Sequence, residues 1–139
     1  MTDPVVIAGM ARTPLGGFQG VFSSIQAPDL AATAIKSALE RSGLAPQHVE
    51  ETLLGCVLSA GQGQAPARQA SIAAGVPVAS GATTINKMCG SGMKAVMLAH
   101  DMLLGGSADI VVAGGMESMR THPICWIKRV VATAWGTAK

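Results

Sequence analysis

Tyrosine is absent from this 139-residue sequence, and phenylalanine and tryptophan contribute two residues each. So few rings exclude a core built on aromatic packing and a surface for stacking bases. Charge is also sparse: Asp, Glu, Lys and Arg make up 13%, with a net charge of +2 and no basic run interleaved with aromatics. No nucleic-acid partner is therefore expected. Cysteine occurs three times, at Cys56, Cys89 and Cys125. An odd number at irregular spacing excludes a disulfide framework and matches no zinc-ligand pattern, so no metal is expected and a reduced, cytoplasmic setting fits. No apolar run approaches the ~20 residues of a membrane helix, so no membrane partner is expected. The start, MTDPVVIAGM, carries Asp3 and no basic stretch, unlike a secretory signal. Phosphate-loop and dinucleotide-type glycine patterns are missing as well.

What the sequence does have is small and apolar. Hydrophobic residues make up 49%, chiefly Ala, Val, Ile, Leu and Met, and there are 17 glycines. One compact domain with closely packed elements is expected. Residues 4–8 (PVVIA) form a short run rich in β-branched side chains, the pattern of a strand buried on both faces. A Gly-rich loop follows over 12–25. Asp29 stands as an N-cap, Leu30, Ala34, Ile35, Ala38 and Leu39 recur at helical spacing, and Gly43 ends that helix. Strands are expected over 51–58, 82–86 and 109–113, and a helix over 64–75 with Pro66 in its first turn. A longer helix runs from Cys89 to Leu104, with Met93, Val96, Met97, Leu103 and Leu104 as its apolar stripe. Strands alternating with helices predict an α/β layered fold with a mainly parallel sheet.

The chemistry concentrates at Asn86-Lys87-Met88-Cys89-Gly90-Ser91-Gly92, which sets a cysteine between a strand end and a helix start. A helix N-terminus carries partial positive charge and unpaired N–H groups, which favour thiolate over thiol. Gly90 and Gly92 let a substrate approach the backbone, and the Cys89 N–H is placed to donate to a developing oxyanion. That describes an activated acyl-transfer nucleophile; the competing reading is a structural cysteine in a tight turn. Cys56 sits in an apolar strand pattern and reads as core. His48 and His100 read as surface or satisfied polar residues rather than catalytic bases, and Cys125 has no evident role.

The segments VVIAGMARTPLGGFQG, QGQAPARQASIAAGVP, TTINKMCGSGMKAVMLAHDML and ADIVVAGGMESM resemble the N-terminal part of a thiolase, in family order and spacing. The resemblance implies a thiolase-like layered fold with a buried helix starting at the nucleophile. It implies Cys89 as the acyl-thioester nucleophile, with its N–H in an oxyanion hole. No bound cofactor is implied; the CoA thioester is the substrate, as acetyl-CoA or a 3-ketoacyl-CoA. The implied reaction condenses two acetyl-CoA to acetoacetyl-CoA, or runs in reverse as thiolysis, in a homo-oligomer (dimer or tetramer). The family's activating histidine, second cysteine, polarising asparagine and CoA-binding loop find no matching position, so this chain alone is expected to be inactive. Arg68 and Gln69 match a segment near the family's subunit interface and read as structural. The alternatives are a ketoacyl-synthase-like condensing enzyme and a non-catalytic interaction fragment.

Residues 120–139 (RTHPICWIKRVVATAWGTAK) depart from the family text, dividing the chain into an incomplete domain over 1–119 and a divergent tail. One coding of this tail, read from the third base, gives NAPYMLDKARGGYRMGHGK, which resembles the family's continuation. Most codons are free choices, but Trp126-Ile127 forces Asp and Trp135-Gly136 forces Gly in that frame. A frameshifted tail is expected to be poorly ordered or loosely docked, with Trp126 and Trp135 open to solvent; the competing reading is a real, divergent tail that folds as an extra helix.

Overall fold

The computed structural model describes residues 5–119 and the backbone of 131–137. In chain order the elements are β1 (Val5–Arg12), α1 (Ala27–Ser42), a short 3-10 turn (Pro46–His48), β2 (Glu51–Gly55), α2 (Pro66–Ala73), β3 (Gly81–Ile85), α3 (Ser91–Leu104), β4 (Ile110–Gly115) and β5 (Val131–Thr137). The five strands form one sheet in the order β1-β5-β4-β2-β3. β2 runs parallel to β3 and β4, and β5 is antiparallel to both β4 and β1. Four strands therefore point the same way and β5 alone runs against them.

Strand periodicity assigns the two faces. Leu54 and Val112 pack with Ala31, Ile35, Ala38 and Ala70 of α1 and α2. Their neighbours Leu53, Val111 and Ala113 turn the other way, onto Ala95, Ala99 and Leu103 of α3. The result is three layers, with α1 and α2 on one face and α3 on the other. The expected α/β layering and the buried β4 are both present. Burying Leu53, Leu54, Val111 and Val112 on both faces of the sheet contributes roughly 1.5–3 kcal/mol per side chain.

Several expectations need correction. The first strand extends to Arg12 and is not buried on both faces: Val6, Ile7 and Met10 are exposed. It lies at the sheet edge, where α1 covers one face and α3 barely reaches the other. The first helix starts at Ala27, with Pro28 and Asp29 in its first turn, because proline's fixed φ suits that turn and a carboxylate there meets the positive end of the helix dipole. Gly43, at φ 71°, closes it as expected.

Of the apolar stripe expected on α3, Leu103 is buried and Val96 packs partly buried beside it, but Met93, Met97 and Leu104 are not part of the buried face. Ser91, Ala95, Ala99 and Leu103 face the sheet, while Met93, Met97 and Leu104 are exposed. Small residues at four-residue spacing let the helix sit close to the sheet, which turns the long side chains outward. So α3 is buried along one face only, and it begins at Ser91, two residues after Cys89.

No strand was expected within 120–139, yet β5 occupies a central place between β1 and β4. Ladders on both sides correct the expectation of loose docking for 131–137. The run VATAWGT shows no alternation of apolar and polar residues and no cluster of turn residues at its start, the signals that mark a strand in sequence. Cys125 and Trp126 lie outside the described residues, as does the side chain of Trp135.

Candidate active site

The parallel strands β2, β3 and β4 all end at the same edge of the sheet, where a layered α/β fold places its ligand crevice. Here an open cavity of about 590 Å³ is lined by Gly55 at the end of β2 and Val57 just after it, Gly114 to Glu117 at the end of β4, and Cys89 to Met93 with Val96 at the start of α3. Leu15, from the loop after β1, closes one side.

Cys89 stands at the apex of the turn joining β3 to α3. Its thiol is exposed, and its backbone lies in the left-handed region at φ 56°. A residue with a Cβ rarely adopts that conformation, because the side chain crowds the following carbonyl. Gly90 N–H donates to Lys87 O at 2.9 Å and closes the turn. Ser91 Oγ accepts from Lys87 N–H at 3.0 Å and donates to Lys87 O at 2.8 Å. Asn86 Nδ2 donates to Val57 O at 3.3 Å, tying the approach to the loop after β2. No hydrogen bond engages the Cys89 N–H among the described residues.

Glycines allow the start of α3 to press against the sheet. A Cβ on Gly55 would lie 2.3 Å from the Ser91 carbonyl carbon and 2.5 Å from Gly92 N. One on Gly115 would lie 3.0 Å from the Gly92 Cα. Backbone thus meets backbone, and the helix N-terminus sits directly over the ends of β2 and β4. Sequence reasoning credited Gly90 and Gly92 with admitting substrate; the contacts show Gly92 also admitting the sheet.

Glu117, which sequence reasoning missed, lines the same cavity. Its carboxylate accepts from Val57 N–H at 3.0 Å and Leu58 N–H at 2.9 Å, and from the Cys56 thiol at 3.6 Å. It thereby fixes the chain where β2 leaves the sheet. The available signal was a single carboxylate directly after a buried Gly-Gly-Met strand end. Cys56 is core, as expected, with the thiol pushed up to about 12 by burial first and by the neighbouring Glu117 second. Gln62 Nε2 also donates to Cys56 Sγ, at 3.7 Å.

The remaining candidates do not converge on Cys89. His48 is exposed in the 3-10 turn. His100 lies nine residues beyond Ser91 along α3, roughly 14 Å at 1.5 Å per residue, and its Nδ1 lies 3.7 Å from the Asp101 carboxylate. The Arg68 guanidinium donates to the carbonyls of Ser80 and Val78. Gln69 Nε2 donates to Gln62 O at 2.7 Å and Gln64 O at 2.8 Å. Both side chains pin loops, which is a structural arrangement. Among the described residues no group of three or more His, Cys, Asp or Glu could hold a metal ion, and no helix is long and apolar enough to cross a membrane.

Comparison with known proteins bears on this geometry. The family model described as thiolase, N-terminal domain, matches residues 5–136. Acetyl-CoA acetyltransferase B, mitochondrial, of Xenopus laevis is 52% identical over 137 residues, 99% of this chain and 32% of that protein. An acetyl-CoA acetyltransferase of Cupriavidus necator is 56% identical over 123 residues, 88% of this chain and 31% of that protein. The crystal structure of Acat5 thiolase from Ascaris suum in complex with coenzyme A is similar with a TM-score of 0.84 and 44% identity, covering 89% of this chain and 32% of that one. The chain spans about a third of the length of the curated relatives it matches. With a family model matched across nearly all its residues and the layered fold shared, this chain belongs to the thiolase family, over the stretch that forms its N-terminal domain.

Proposed function

We propose that Cys89 is the nucleophile of a thiolase-type acyl transfer. Its thiolate attacks the carbonyl carbon of acetyl-CoA or a 3-ketoacyl-CoA. With acetyl-CoA the new C–S bond forms at the thioester carbonyl as the bond to the CoA sulfur breaks, and the CoA thiolate leaves to take up a proton. With a 3-ketoacyl-CoA the C3 ketone is attacked, the C2–C3 bond breaks, and acetyl-CoA leaves as its enolate and takes up a proton. The observation that carries this reading is the exposed Cys89, held at φ 56° and lining the same cavity as the start of α3, with no hydrogen bond on its N–H among the described residues. An N–H so placed stabilises the oxyanion of the tetrahedral intermediate. In the complete reaction a second acetyl-CoA, deprotonated at its methyl carbon, attacks the S-acetyl group and gives acetoacetyl-CoA. Thiolysis is the reverse.

Among the described residues neither that second step nor activation of the thiol has an evident base, because no described histidine lines the cavity and the one described carboxylate there, Glu117, is engaged by two backbone N–H groups. The 139-residue chain alone is accordingly read as competent at most for the first half-reaction. S-acetylation of Cys89 by acetyl-CoA, with release of free CoA and no acetoacetyl-CoA, is the test.

The role we assign belongs to fatty-acid metabolism in the cytoplasm; the Xenopus relative is named mitochondrial. A homo-oligomer, dimer or tetramer, is supported by β3 lying at the sheet edge with one side unpaired by the described strands. Residues 120–139 we read as a shift of reading frame after Met119, with β5 formed from the shifted text. The gene sequence decides this: an alternative frame that fails to give NAPY and the family's later motifs ends the idea.

A further inference from the structure

The geometry assigns to Ser91 the role of a positioning residue for Cys89, exerted through the backbone of Lys87. The inference rests on the reading of Cys89 as the acyl acceptor. A hydroxyl in the first turn of a helix ordinarily serves the helix's own unpaired N–H groups. The Ser91 hydroxyl does not. It reaches back across the turn and uses both its hydrogen and a lone pair on one residue, Lys87, at 2.8 and 3.0 Å. With the Gly90 N–H also on Lys87 O at 2.9 Å, the five residues from Lys87 to Ser91 form a closed ring with Cys89 at its apex.

The ring is anchored as well as closed. Ser91 is 7% exposed, and its backbone and Cβ lie directly over Gly55, which seats the residue against the sheet. Cys89 would leave the left-handed region if the turn were free to relax, since that region is disfavoured for a residue with a Cβ. Two hydrogen bonds from a side chain fixed against the sheet oppose that relaxation. The hydroxyl therefore sets where the Cys89 N–H points relative to its thiol. Attack on a carbonyl needs both groups, whereas alkylation of the thiol needs only the sulfur.

That difference supplies the test. In the full chain, the rate of Cys89 acetylation by p-nitrophenyl acetate and its rate of alkylation by iodoacetamide are measured by peptide mapping. The same is done for Ser91→Ala and for the control Ser71→Ala. The control removes a fully buried hydroxyl that pairs with Thr52 Oγ1 at 3.2 Å, away from the cavity. Ser91→Ala is expected to lower the acetylation-to-alkylation ratio by at least about tenfold, as displaced oxyanion donors do, while Cys56 stays protected and Ser71→Ala leaves the ratio unchanged. A Ser91→Ala ratio within about twofold of wild type, an equal fall in Ser71→Ala, or exposure of Cys56 in Ser91→Ala overturns the assignment. Wild-type chain that reacts with the ester but takes no acetyl group from acetyl-CoA overturns the acyl-CoA reading instead and leaves the Ser91 comparison intact.

Discussion

Gly55 and Ser91 meet backbone to backbone: a Cβ on Gly55 would stand 2.3 Å from the Ser91 carbonyl carbon. The obstruction is main chain on both sides, so no side-chain rotation relieves it. Gly55→Ala should therefore lift the start of α3 from the end of β2 and destabilise the fold by about 2–3 kcal/mol, in the range of overpacked cores. Chemical denaturation measures the loss, and the alkylation rate of Cys89 should change with it. Unchanged stability together with unchanged Cys89 reactivity would show that the contact does not hold the turn.

Glu117 is expected to matter through the backbone it grips. Replacing it with alanine leaves the N–H groups of Val57 and Leu58 without their acceptor. Hydrogen bonds to a charged group contribute about 1.5–3 kcal/mol each, but water replaces part of that at a half-open cavity, so a loss of about 2 kcal/mol is expected. Hydrogen exchange at Val57 and Leu58 should accelerate in Glu117→Ala, while exchange in α1 stays slow. Equal acceleration in both regions would mean that Glu117 supports the whole fold rather than the cavity wall.

Much of the architecture was legible because it is written in short-range patterns. The β-branched runs at Val5–Ile7 and Ile110–Val112 and the Ala/Leu spacing of α1 each fix an element by local periodicity. Cys89 was legible from its glycine neighbours and, above all, from the motif around it. What escaped were relationships across the fold. Which face of α3 is buried depends on the sheet beneath it, and small alanines outcompeted larger methionines for that position. Glu117 and Ser91 act on residues 59 or 60 positions away and four positions away. A lone carboxylate or serine carries no mark of such a partner in the sequence. β5 escaped because its place between β1 and β4 is a property of the sheet, while its own sequence is bland.

Cys56 gives the fold a defined alkaline sensitivity. Its thiol keeps its proton in the folded chain up to about 12, against an ordinary value of 9.0. Below 9.0 folded and unfolded thiols are both protonated, and pH leaves this contribution intact. Between 9.0 and about 12 only the unfolded thiol gives up its proton, so stability falls as pH rises through that window. The difference in stability between wild type and Cys56→Ala should shrink across it, as followed by denaturant midpoints at stepped pH. A difference that stays constant from pH 8 to 11 would contradict the burial-driven shift.

The central claim is that Cys89 accepts the acyl group, and mass spectrometry after a brief incubation with acetyl-CoA addresses it most directly. The account predicts one acetyl group on the peptide bearing Cys89, released by hydroxylamine as a thioester should be and absent in Cys89→Ala. Cys56, buried and protonated, should remain unmodified. Acetylation that appears only on lysines or on Cys56, or that persists undiminished in Cys89→Ala, would contradict it.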